Sequence, residues 1–175
     1  PALTTAAKLS ALTTHGHPNA VEAAIAACWI LRWTLEEGEL SAELVQRAVE
    51  RLQGDWGQGG DVARSLQDAL NVAESAGEWL EESQVYPGDG GWRSGSALGL
   101  AIAAALRWGS DFARAVDRAA RIDGDSDSVA CLTGMFLGAA RGRGFLPPDW
   151  RDALVRRDEI ERLAGDLVLW GEGNL

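Results

Sequence analysis

The stretch RIDGDSDSVACLTGMFLGAARG, residues 121–142, decides how this chain is read. Asp123, Asp125 and Asp127 stand at every second position, directly before an apolar run rich in glycine and alanine. Extended backbone at that spacing can turn two or more carboxylates toward one cation, and oxygen donors suit a hard divalent ion. An EF-hand-like calcium loop does not fit. With Asp123 as position one, position six is Ser128 instead of glycine and position twelve is Gly134 instead of glutamate. Two other readings stay open: Ser126, Asp127 or Ser128 capping a helix by accepting from its first free N–H groups, or plain solvated acidity. Small residues at Gly134, Gly138 and Ala139 would let the following helix sit deep between others. Carboxylates at the mouth of a buried helix need a compensating charge, and a metal supplies it.

Outward from this motif, almost every long segment repeats its apolar residues at helical period, and β-branched runs with period-two alternation are absent. The pattern predicts a short helix over 2–12, ended by THGHP. A second helix opens at Pro18 or Asn19 and runs to about Gly38, with Asn19 and Glu22 in a capping-box relation. Its expected inner positions are Val21, Ile25, Cys28, Trp29 and Leu35. Ser41 caps a third helix that closes at the glycine-rich stretch 54–60. Asp61 starts a long helix over 61–82 with a weak point at Gly77. Residues 86–95, YPGDGGWRSG, form a loop that leads into an alanine-rich helix. Asp111 caps the next helix, 146–150 is an extended turn, and residues 157–170 are a final amphipathic helix. Short loops between many helices give an all-α fold, an orthogonal multi-helix bundle.

Bulk properties narrow the function. A chain of 175 residues with 46% apolar and 24% charged residues suits one soluble globular domain with a sizeable core. A net charge of −10 repels phosphodiester backbones, which argues against general nucleic-acid binding. No signal peptide is visible and no apolar run approaches the ~18 residues needed to span a bilayer, so no membrane role and a cytoplasmic location are expected. Cys28 and Cys131 lack C-x-x-C spacing and read as two buried reduced thiols.

Four stretches, in order, resemble the ADP-ribosyl-glycohydrolase family. DGDSDSVACLTGMFLGAARG is similar to the family's C-terminal GGDTDT signature and small-residue helix. THGHPNAVEAAIAA resembles its TH-x-HP segment, GDGGWRSGSALGLAIAAAL its glycine-rich loop and alanine-rich helix, and LPPDWRDAL the proline–tryptophan turn that follows. The resemblance implies an all-α hydrolase with two Mg2+ or Mn2+ ions that orient the ribose of an ADP-ribosyl group. The substrate implied is an ADP-ribosylated protein or an ADP-ribosyl small molecule. Asp125 and Asp127 match the family's metal-ligating aspartates, and Ser128 stands where a ligating threonine usually does. Asp123 replaces the motif's first glycine. His15 is a candidate substrate contact, against the alternative of a polar loop histidine ordering the helix start; His17 is a weaker candidate. Gly88, Asp89, Gly90, Gly91 and Trp92 would form the loop over the nucleotide, with backbone N–H groups near phosphate. Trp92 either stacks on the ligand or packs in the core.

The chain also departs from the family pattern. No Thr-Asp-Asp cluster occurs, and nothing matches the family's N-terminal acidic residue near a Gly-Asp motif. Glutamates common after the glycine-rich loop are replaced by Ser94, Gly95 and Ser96. The opening PALTTAAKLSALT has no Met and shows apolar spacing from the outset. Residues 1–175 therefore read as the C-terminal part of one such domain. The N-terminal half is then expected as a second chain, or the chain as a homo-oligomer. The alternative is a catalytically inactive module that binds ADP-ribose or another protein.

Overall fold

The computed structural model describes residues 2–56 and 60–174. The chain divides into two compact units, residues 1–145 and residues 146–175. Among the described residues every regular element is helical. The larger unit holds α1 (Ala2–Leu12), α2 (Pro18–Glu37), α3 (Ala42–Trp56), α4 (Asp61–Glu74), α5 (Ser94–Trp108), α6 (Phe112–Ala120) and α7 (Ser126–Arg141).

The start of α2 corrects the expected capping box. Pro18 takes the first helical position, where its missing N–H costs nothing, and His17 is the cap: its Nδ1 accepts from the Asn19 N–H at 3.2 Å. Asn19 lies inside the helix, buried, and its Oδ1 accepts from the Gly95 N–H at 3.1 Å. The inward stripe of α2 is Ile25, Ala26, Trp29, Ile30 and Trp33, while Leu35, expected inside, is exposed. Gly38 ends the helix in the left-handed region at φ 75°, as its C-terminal glycine suggested. Ser41 Oγ accepts from the Leu44 N–H at 3.4 Å, as expected of a cap for α3. Residues 57–59 of the expected glycine-rich stop lie outside the described residues.

The fourth helix is shorter than its sequence suggests. It ends at Glu74 because the Ser75 hydroxyl and the Arg107 guanidinium both donate to the Val72 carbonyl, and Arg107 also donates to the Gly77 carbonyl. Side chains thus satisfy carbonyls that another helical turn would have used.

α5 is the central element. Gly95 through Ala105 and Trp108 are buried, and the helix packs against α4, α7, α6 and α2. Gly99 permits the closest approach: a Cβ there would lie 2.7 Å from the Ser65 carbonyl oxygen and 2.7 Å from Val85 Cγ1. The expectation that α7 is deeply enclosed through Gly134 and Gly138 does not hold. Its buried stripe is Val129, Thr133, Phe136 and Leu137, no atom would meet a Cβ on Gly138 within 4 Å, and Cys131 and Met135 face outward. Cys131 is therefore an exposed free thiol rather than a buried one, and Cys28 is half-buried.

The smaller unit holds α8 (Pro148–Asp152) and α9 (Arg157–Asn174). Pro148 at the first helical position turns the expected extended segment into one helical turn. Along α9, Ile160, Leu163, Leu167 and Trp170 repeat at helical spacing and are exposed.

Candidate active site

Three segments far apart in sequence converge at one end of α5. The first is the turn between α1 and α2. The His15 N–H closes α1 on the Ala11 carbonyl at 2.9 Å, and its exposed ring places Nδ1 2.8 Å from Thr14 Oγ1. The Asn19–Gly95 hydrogen bond ties this turn to the first turn of α5.

The second segment is the glycine-rich loop. Its entry is fixed to α4, where Asp68 Oδ2 accepts from the Tyr86 N–H at 3.1 Å and Ser65 Oγ donates to the Tyr86 carbonyl at 2.7 Å. Asp68, isolated in the sequence, thus supports the loop. Gly88, Gly90 and Gly91 have φ of 75°, 69° and 84°, a region that side chains disfavour. Asp89 Oδ1 lies 2.5 Å from Ser96 Oγ, and the Asp89 carbonyl accepts from the Trp92 N–H at 3.4 Å.

The third segment is the acidic motif. The Asp125 N–H donates to the Gly90 carbonyl at 2.8 Å, which locks the loop onto the start of α7. Gly90 and Gly124 face each other so closely that a Cβ on Gly90 would fall 2.5 Å from the Asp123 carbonyl oxygen, and a Cβ on Gly124 would strike the Gly90 carbonyl. Asp123 itself is exposed and has no positive φ, so the replaced glycine is not needed at that position.

Between these segments lies a cleft of about 430 Å3, walled by α1, α2, α5 and α7. Its volume is of the order that takes a small ligand. It brings together His15, Gly91, Trp92, Asp125 and Ser128. Gly88, Asp89, Gly90 and Asp127 do not line it. Trp92 is 81% exposed at the cleft edge, which excludes the core-packing alternative for its indole. A smaller recess shares His15, Ala20, Trp92 and Ser94 with the cleft and adds His17, Asn19 and Arg93.

The donors at the start of α7 fit an oxygen-ligated divalent cation in kind. The Asp127 carboxylate is held below its usual range first by a hydrogen bond with the Asp125 side chain, then by the N–H groups of Ser128 and Asp127. Ser128 adds a hydroxyl at the cleft wall. In number the donors fall short. Among the described residues no group of three or more His, Cys, Asp or Glu side chains is gathered for a metal, whereas Mg2+ takes about six oxygen ligands. Asp125, Asp127 and Ser128 would be part of a shell.

One feature of the cleft was not read from the sequence. The floor of the cleft is alanine: Ala20, Ala23, Ala24 and Ala27 on α2, with Ala97 on α5. The i, i+3, i+4, i+7 spacing of the first four is visible in the sequence as a small-residue stripe. At the three positions where the sequence lacks the family's glutamates, the structure separates those that face the cleft from those that do not. Gly95 and Ser96 are buried, and a Cβ on Gly95 would already lie 3.1 Å from Asn19 Nδ2. Neither position faces the cleft, so neither can present a carboxylate to a ligand there. Ser94 does line it.

The ADP-ribosylglycohydrolase family matches residues 1–174. ADP-ribosylarginine hydrolase Tri1 of Serratia proteamaculans (strain 568) is 41% identical over 61 residues, which cover 34% of this chain and 17% of that protein. No solved structure matches the chain. The matched span takes in all three segments that build the cleft, and the chain belongs to the ADP-ribosylglycohydrolase family.

Proposed function

We propose that the cleft binds an ADP-ribosyl group and that the chain serves in hydrolysis of its bond to a modified arginine. The observation that carries this is the convergence of His15, Gly91, Trp92, Asp125 and Ser128, from three separate motifs, on one cleft. Family membership favours an ADP-ribosyl substrate, and the similarity to an ADP-ribosylarginine hydrolase favours arginine as the leaving group. In the overall reaction water adds its oxygen to the anomeric carbon, the ribose–nitrogen bond breaks, and the released guanidine takes up a proton.

Asp125, Asp127 and Ser128 would hold a divalent cation, Mg2+ or Mn2+, at the first turn of α7. Bound there, such an ion supplies positive charge for the ribose hydroxyls and the attacking water. The other roles fall to the chain's own groups. The exposed Trp92 indole offers a flat face at the cleft edge, and His15 offers a ring nitrogen for a hydrogen bond to the ligand. The alanine floor leaves room for a flat group and has no polar atom to satisfy. The remaining metal ligands and the acidic residue that handles water or the leaving group would come from outside these 175 residues.

A second reading follows from the short donor set: an ADP-ribose-binding module without turnover. Incubation with an ADP-ribosylarginine peptide in Mn2+ or in chelator separates the two. Release of ADP-ribose only with Mn2+, abolished in Asp125→Ala with helix content unchanged, is the result expected for a hydrolase. Binding of ADP-ribose without release, both in the chain alone and together with any polypeptide that co-purifies with it, identifies the module. Neither binding nor release would falsify both.

A further inference from the structure

Asp89 belongs to the glycine-rich loop yet contributes nothing to the cleft wall. Its carboxylate turns inward instead. Oδ1 lies 2.5 Å from the hydroxyl of Ser96, a residue 1% exposed in the first turn of α5. Oδ2 is enclosed and accepts no hydrogen bond; Arg93 Nε is 3.7 Å away, beyond hydrogen-bond length. Enclosing a carboxylate oxygen without a donor costs free energy, so the contact made by the other oxygen must return something.

What it returns can be followed through the backbone. The Asp89 carbonyl closes the turn by accepting from the Trp92 N–H, and the next carbonyl, that of Gly90, accepts from the Asp125 N–H. Gly90 cannot shift toward the acidic motif, because its backbone already rests against Asp123 and Gly124. Ser96 cannot move either, being buried in the central helix. The turn that starts at Asp89 therefore sets where the Gly90 carbonyl points, and that carbonyl holds the residue immediately before α7. We propose that Asp89 is a positioning residue: its hydrogen bond with Ser96 fixes the Gly90 carbonyl and, through it, the orientation of Asp125. The functional weight of this link rests on Asp125 being a metal ligand, but the link itself does not.

Amide hydrogen exchange in the full chain tests it, comparing wild type with Asp89→Ala, Asp89→Asn and Ser96→Ala. Breaking a charge-assisted hydrogen bond that holds a local structure should speed exchange of the Asp125 amide by about tenfold or more. Asp89→Ala and Ser96→Ala should both do this while core amides of α3 and α4 keep their rates. Asp89→Asn, whose amide oxygen can still accept from Ser96, should stay within about threefold of wild type. A parallel Mn2+ titration followed by electron paramagnetic resonance should show weaker binding in Asp89→Ala and recovery in Asp89→Asn. Unchanged Asp125 exchange in Asp89→Ala overturns the proposal. So does equal acceleration throughout the core, which would make Asp89 a general stabiliser, or Asp89→Asn behaving as Asp89→Ala. If wild type binds no Mn2+ but Asp89→Ala still frees the Asp125 amide, the chain alone does not hold the ion and the positioning link stands.

Discussion

Glu22 lies just past the first turn of α2, near the helix N-terminus that favours carboxylates. Its pKa is nevertheless raised, by burial first and by the Asp61 carboxylate second, with His17 opposing. A Cβ on Gly60 would lie 3.7 Å from Glu22 Oε2, which places the carboxylate against the chain just before α4. The sign follows from linkage. Because the folded value lies above the ordinary 4.5, the fold prefers Glu22 protonated. That contribution is fully present below pH 4.5 and is lost as pH rises through the folded value. Glu22→Gln should therefore stabilise the chain at pH 7 by less than about 1 kcal/mol, since solvent screens part of the effect. It should give no gain near pH 4. Urea denaturation at both pH values checks this, and a loss at pH 7 would contradict it. The sequence placed Glu22 and Asn19 together as a cap because only near neighbours are visible in a pattern. Asn19 instead pairs with a residue 76 positions away. The same limit hid Asp89: its residue type and loop were legible, but not the inward turn toward Ser96.

Among the elements, α5 shows which helical features a sequence reveals. Its existence, its start after the glycine-rich loop and its burial follow from thirteen residues of small and apolar side chains, SALGLAIAAALRW. The capping role of Asp111, which accepts from the Arg114 N–H at 3.0 Å, was equally local and legible. The end of α4 was not, since Arg107 of α5 imposes it from another helix. Nor could the sequence tell which glycine carries the close packing. Gly99 and Gly138 look alike in pattern, yet a Cβ on one would meet backbone and side chain at 2.7 Å and on the other nothing within 4 Å. Alanine gains up to about 1 kcal/mol over glycine in a helix interior. At Gly99 overpacking against the Ser65 backbone should cost about 1–3 kcal/mol and outweigh that gain. Gly99→Ala should thus lower stability and Gly138→Ala raise it, measured by thermal or urea denaturation. Two shifts of the same sign would show that the α4–α5 contact does not set the spacing.

At the scale of the whole molecule, the helical class was legible because period 3.6 recurs in nearly every segment. The cleft was legible only as separate motifs, since a one-dimensional pattern does not say which ends of which helices meet. The division of labour between the two units was not legible at all. Every buried residue among those described falls between Ala7 and Leu137, within residues 1–145. The cleft and every residue chosen from the sequence as a site candidate lie in that unit as well. Residues 146–175, by contrast, hold exposed apolar side chains, among them Val155 at 83% and Leu167 at 69%. No helix in either unit, among the described residues, is long and apolar enough to cross a membrane. Among the described residues, removing 146–175 therefore takes away no buried side chain, and hydrophobic burial is the main term holding such a fold together. A fragment of residues 1–145 should keep a cooperative thermal transition within a few degrees of the full chain, by circular dichroism. It should also stay soluble to higher concentration, because the exposed apolar stripe of α9 is gone. Any ADP-ribose affinity of the full chain should persist in the fragment. A molten fragment, with helix content but no cooperative transition, would mean that the smaller unit contributes to a core its own exposed side chains do not reveal.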